Sequence, residues 1–289
     1  MKFTEIASGY SFLEAPRWHD GALWFCDLLG GGVFRLDAAG STQAFLPDLK
    51  HVGGMAINRD GKVVMSRSDG IGWLDPETGA SGLIIDALDG APFPGANDMF
   101  PDGRGGLYFG TVVTSEGQYD PASDATGLYR LAPDGSVSLQ HAGVRFANGC
   151  GLSPDGRRFY HTQSLAGIYV YDVQADGALA GRVLFSDRTD GDGMAVDEEG
   201  CLWSASYCNG EIVRHRPDGS VAERIAVPHQ VVTSLCFGGE DRRDLYVVTG
   251  GSNGVEIMMR GELPPPEASV FHARVEVPGL PVPVTDFAV

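Results

Sequence analysis

Short apolar stretches alternate with Gly- and Asp-rich turns along the whole chain, and one unit of this pattern returns six times. It reads PRWHDGALWFCD from Pro16, MAINRDGKVVMS from Met55, MFPDGRGGLYFGT from Met99, GLSPDGRRFYHT from Gly151, AVDEEGCLWSAS from Ala195 and LCFGGEDRRDLYVVT from Leu235. Each unit is an apolar strand, a tight turn closing on a glycine (Gly21, Gly61, Gly103, Gly156, Gly200, Gly239) and a second apolar strand. Pairs such as Asp20-Gly21 suit strand reversals that need positive φ. Third strands recur downstream, as IGWLD at Ile71, GLYRL at Gly127 and IYVYD at Ile168. A period of about 40 to 45 residues with paired strands in every copy is the mark of propeller blades. The predicted fold is therefore all-β: one six-bladed β-propeller domain over residues 1–289, with four antiparallel strands per blade. The early FTEIAS segment is expected to complete the last blade as its outer strand, closing the ring and hiding its edges. No stretch carries a sustained helical period, so little helix is expected.

One interval is long. Between Gly103 and Gly156 about ten residues are added to the repeat, mostly within Val113–Thr126. A long connection beside the starts of the inner strands is a candidate lid. The stretch from Leu263 to Glu267 reads as a second, less informative loop.

Charge and composition narrow the function. A formal net charge of −17 excludes a basic stripe for nucleic acid and suits attraction of cations. No run is long and apolar enough to cross a bilayer, and the opening MKFTEIASGYSFLEAPRW lacks the features of a secretory signal. The five cysteines (Cys26, Cys150, Cys201, Cys208, Cys236) show no metal-type pairing and sit mostly in apolar strands, as reduced core thiols do. A cytoplasmic protein is expected, a monomer or weak homo-oligomer. No GxSxG elbow supports a serine hydrolase. Gly30-Gly31-Gly32 has no helix after it to make a phosphate cradle.

Counting back from each turn glycine gives the residue at the start of each inner strand, facing the central channel. The six are Glu14, Gly54, Asn97, Asn148, Asp192 and Thr233. Taken singly, Asn148-Gly149 and Asp192-Gly193 read as ordinary turns. Coincidence at one repeat position in four blades reads as convergence on an all-oxygen site for Ca²⁺, or for Mg²⁺, Mn²⁺ or Zn²⁺ with waters. His51, just before the second inner strand, and Glu116, in the long insertion, are candidate substrate contacts. Phe12, Phe93, Phe146, Tyr119 and Tyr207 are placed near the channel mouth.

The segments EAPRW from Glu14, GGMAIN from Gly53, NDMFPDG from Asn97, NGCGLSPDG from Asn148, DGMAVDEEGCLW from Asp192 and TSLCFGG from Thr233 resemble the SMP-30/gluconolactonase/LRE family, the regucalcin-like lactonases, in order and along nearly the whole chain. The resemblance implies that Glu14, Asn148 and Asp192 hold one divalent cation and that Asn97 contacts substrate or lies near the metal. It implies hydrolysis of a small-molecule lactone or ester, the cation acting on the carbonyl and Asp192 taking a proton from water or merely guiding it. Two departures mark the substrate pocket. Gly95 stands where sugar-lactonase members have an arginine, and Gln163 replaces the acid of a TDS segment, here Thr162-Gln163-Ser164. A less polar lactone or ester is therefore expected. The same site could serve an arylesterase or organophosphate hydrolase, or a calcium-binding propeller without turnover.

Overall fold

The computed structural model describes residues 1–112, 114–115, 118–119 and 126–289, of which 114–115 and 118–119 are described by backbone alone. Six four-stranded antiparallel sheets follow one another around a ring. In each, the innermost strand starts at the central channel: Leu13–His19, Met55–Ile57, Ala96–Pro101, Ala147–Leu152, Gly191–Val196 and Val232–Gly238. We number the blades in that order. The strand Thr4–Tyr10 pairs with Ala268–Arg274 as the outer edge of blade 6, so the first and last parts of the chain share one sheet, as the sequence led us to expect.

Burial falls from the axis outwards. The second strand of blade 1, Ala22–Asp27, is buried throughout, whereas its outer strand Thr42–Phe45 buries Phe45 alone. Strands near the axis face neighbours on both sides and so are buried along most of their length, polar residues included, while the rim strands are mostly exposed or half-buried. The core lies between blades. Trp24, Val33 and Phe45 of blade 1 pack with Met55, Met65 and Leu74 of blade 2, and equivalent clusters fill the other gaps. The turn residues Asp20 and Gly21 have φ of 46° and 68°, the pair of positive values that tightly linked, twisted strands require.

Two features were not read from the pattern. A short helix, Gly254–Met259, follows the second strand of blade 6; six residues are too few to show a 3.6-residue period. Residues 275–289 cross the face opposite the inner-strand starts. Gly279 bridges to Asp197 of blade 5 and Thr285 to Asn58 of blade 2, and the Asp286 amide donates to Gly105 of blade 3. All five cysteines are free and four are buried, Cys208 being exposed. No described helix is long and apolar enough to cross a membrane.

Candidate active site

Glu14, Asn97, Asn148 and Asp192 line one cavity of about 180 Å³ at the end of the channel where the inner strands begin. The inner strand of each of these four blades slips register at the site residue, between Glu14 and Arg17, Ala96 and Met99, Ala147 and Cys150, and Gly191 and Met194. A bulge leaves its extra residue outside the ladder and re-aims the side chain, here into the channel. In blade 2, which contributes no site side chain, Met55–Ile57 pairs without a slip.

Asn148-Gly149 and Asp192-Gly193 lie inside strands, not turns. Their glycines answer a different need: a Cβ on Gly149 would stand 2.6 Å from the Asp192 carbonyl oxygen, and one on Gly193 would collide with Ser234. Each glycine lets the next inner strand come close enough for its site residue to reach the shared floor.

Hydrogen bonds fix the amides. Asn97 Nδ2 donates to the Ala147 carbonyl at 2.8 Å and to Asn148 Oδ1 at 2.6 Å. Asn148 Nδ2 donates to Ser164 Oγ at 2.7 Å, and that hydroxyl donates on to the Gly191 carbonyl at 2.5 Å. Asn148 Oδ1 thus faces the floor with a second lone pair to offer. The carboxylates are far less satisfied. Glu14 Oε2 accepts the amide of its own neighbour Ala15 at 3.2 Å, and buried Asp192 Oδ1 has no hydrogen-bond partner among the described residues.

Burial raises the Glu14 carboxyl well above the usual carboxylate range, helped by the charges of Asp192 and Asp98. Asp192 is raised likewise by burial and then by Asp98. Burial lifts Asp98 to about 6 against the pull of Arg17. Among the described residues Arg17 is the cation that counters this cluster, and its guanidinium donates to the Pro16 and Met99 carbonyls at 2.8 and 3.1 Å. Three buried acids crowding one another in this way favour protons or a cation on the floor. Among the described residues no three His, Cys, Asp or Glu side chains stand in metal-binding geometry. An ion here would draw on Glu14, Asp192 and Asn148 Oδ1, a hard oxygen set that suits Ca²⁺ and its like.

Other expectations fare unequally. Thr233 spends its hydroxyl on the Leu13 and Val248 carbonyls, tying blade 6 to blade 1. Gly53 and Gly54 admit blade 3, since a Cβ on Gly53 would overlap Asn97 Oδ1. His51 is not among the cavity-lining residues, although its amide donates to the carbonyl of Leu28, which is. Glu116 and the Tyr119 side chain lie outside the described residues. Phe12, Phe146 and Tyr207 line the cavity. Phe93 does not: it stacks on Phe109 in the core between blades 2 and 3.

Gln163 is turned into blade 4, its Oε1 accepting from the Arg145 amide, so that change never reaches the cavity. Its neighbour Ser164, missed in the sequence, does. Gly95 has φ of 103°, and a Cβ there would meet the Val112 carbonyl at 3.1 Å; the backbone at this position favours glycine. Val255, Met258 and Met259 of the short helix also line the cavity.

A family model described as SMP-30/Gluconolactonase/LRE-like region matches residues 12–251. The chain belongs to that family. Among family relatives, pentonolactonase XacC of Haloferax volcanii is 34% identical over 83% of this chain and 82% of its own. The 6-deoxy-6-sulfogluconolactonase of Pseudomonas putida is 30% identical over 94% of each chain. The solved structure of regucalcin from Agrobacterium tumefaciens, described as a calcium-binding protein, superposes with a TM-score of 0.84 over 98% of this chain and 97% of that one at 23% identity, which supports the propeller itself.

Proposed function

We propose that this protein hydrolyses a lactone with the help of one divalent cation, calcium foremost, held by Glu14, Asn148 and Asp192. One observation carries the reading: two buried, under-satisfied carboxylates and a fixed amide oxygen converge at the floor of a cavity open to small molecules. The lactonase names of relatives at 34% and 30% identity support the bond type.

Bound there, the cation supplies Lewis acidity towards the lactone carbonyl oxygen. The chain does the rest. Water attacks the acyl carbon, Asp192 accepts the proton that water loses, the ring C–O bond breaks, and the same proton passes to the departing alkoxide. The product is the hydroxy acid. Asn97 has both Nδ2 hydrogens committed to Ala147 and Asn148, so we assign it to holding the Asn148 carbonyl in place rather than to gripping substrate. Ser164 does the same from the other side.

A hydrolysis panel of lactones, aryl esters and phosphotriesters, run before and after EDTA treatment and with Ca²⁺, Mn²⁺, Zn²⁺ or Mg²⁺ restored, tests the reading. Lactones should turn over fastest, stop with EDTA and recover with a cation. Turnover indifferent to EDTA, or hydrolysis confined to phosphotriesters, contradicts it. A propeller that binds the ion and hydrolyses nothing would be a calcium-binding protein instead.

A further inference from the structure

Polar groups are distributed unevenly over the cavity. Glu14, Asn97, Asn148, Ser164 and Asp192 form its floor, while the walls are Phe12, Leu28, Phe146, Leu165 and the helix residues Val255, Met258 and Met259. Among the described wall residues Tyr207 alone has a hydroxyl, and that hydroxyl lies 3.3 Å from the Thr189 carbonyl, to which it donates. No Lys, Arg or His is among the described lining residues. A ring hydroxyl rising from the floor therefore meets mostly carbon on the described walls, and leaving water without a replacement partner weakens binding.

The rim points the same way. Leu165 and Met259 stand at the mouth 48% and 49% exposed, a large apolar pair offered to solvent next to an acidic floor. Leu165 and Phe146 hold φ of 74° and 51°, a left-handed backbone that branched and bulky side chains rarely adopt and that tends to gather at functional sites. Phe12 is fixed from behind: buried Asp27 accepts the Ser11 and Phe12 amides at 2.8 and 3.0 Å.

Resting on the lactone-hydrolase reading, we propose that this site takes lactones bearing an alkyl or aryl substituent, with the ring carbonyl on the floor and the substituent running along the Phe12, Phe146 and Met258 walls towards Leu165 and Met259. The sugar-lactonase names of the relatives point to hydroxylated substrates, so a direct contest between the two kinds of lactone is informative.

The experiment has two arms. In the first, kcat/KM is measured for γ-lactones of increasing alkyl length and for glucono-δ-lactone, in wild type and in Leu165→Ser and Met259→Ser, both exposed positions that tolerate a polar side chain. Each of the first few methylenes should raise kcat/KM about fourfold, the worth of a buried methylene. The two variants should flatten that slope, and the sugar lactone should fall at least about tenfold below the longer alkyl lactones. The second arm measures binding of the matching γ-lactams, which resist hydrolysis, by calorimetry on the calcium-loaded protein. Affinity rising with chain length supports the proposal even if no lactone turns over, an outcome that would sink the hydrolase reading alone. Lactam affinity indifferent to chain length, or a sugar lactone winning by tenfold, overturns the proposal.

Discussion

The inner strand of blade 5 carries a buried aspartate near each end, and the two live in opposite circumstances. Asp197, just past its far end, accepts the Cys201 amide at 2.9 Å with one oxygen and Trp203 Nε1 and Arg214 with the other. Asp192, near its start, has a buried oxygen with no partner among the described residues. Blade 3 repeats the contrast: Asp102 binds two amides and Arg130, whereas Asp98 at the other end is left with a carboxyl raised to about 6. Burial and residue type are the same at both ends; the number of partners differs. A carboxylate that holds a fold together has its lone pairs spoken for, since a buried unpaired charge is costly. One that waits for an ion or a proton does not.

Substitution at the two ends should therefore break different properties. The largest effect is expected from Asp192→Asn, which keeps an oxygen donor but cannot accept the water's proton. Lactone turnover should fall by roughly 10²–10⁴-fold, the usual worth of a positioned base, with the melting temperature held or raised. Near wild-type kcat with cation bound would remove Asp192 from the proton transfer. At the other end, Asp197→Ala leaves Trp203 Nε1 and a backbone amide without their acceptor and leaves Arg214 with exposed Glu199; breaking a buried pair costs about 3–5 kcal/mol, and less where a second acceptor remains. Denaturant unfolding should register that loss, while the kcat of whatever remains folded should change little. Equal destabilisation by both substitutions would erase the distinction.

A subtler effect is expected from pH. Glu14, Asp98 and Asp192 have folded pKa values raised above their unfolded ones, so between those values the folded state holds protons that the unfolded state has lost. The contribution of these three groups to the stability of the metal-free protein should then be full below about pH 4, the unfolded range, and decline as pH rises through about 6, where Asp98 ionises. Saturating Ca²⁺ should offset the decline by taking the protons' place. Thermal melts from pH 4 to pH 8 with and without calcium would show it, and a metal-free melting temperature that climbs over this range would contradict the crowding of acids.

The ring of blades was legible because a strand–turn–strand unit repeats with glycine at a fixed place, and Glu14, Asn97, Asn148 and Asp192 could be found because they share a repeat position. The bulges that aim them were not legible, since one extra residue is lost among repeat intervals that already vary by several residues. Gly149 and Gly193 looked like turn residues because sequence does not distinguish a glycine chosen for positive φ from one chosen for a close neighbour. Ser164 gave one clue, its place in the segment that departs from the family pattern, but the departing residue itself is Gln163, whose side chain does not reach the cavity. The helix at 254–259 and the crossing strap of 275–289 carry no period at all; tertiary contacts alone define them.

Calorimetric titration of the metal-free protein with Ca²⁺ near pH 7, in wild type, Asp192→Ala and Asp197→Ala, probes the unpaired cluster most directly. One ion should bind per chain, with protons released as buried carboxyls ionise. Binding should be lost in Asp192→Ala and kept by folded Asp197→Ala. If no divalent cation binds, or if Asp192→Ala binds calcium as tightly as wild type, the unpaired carboxylates at the channel floor are not a metal site.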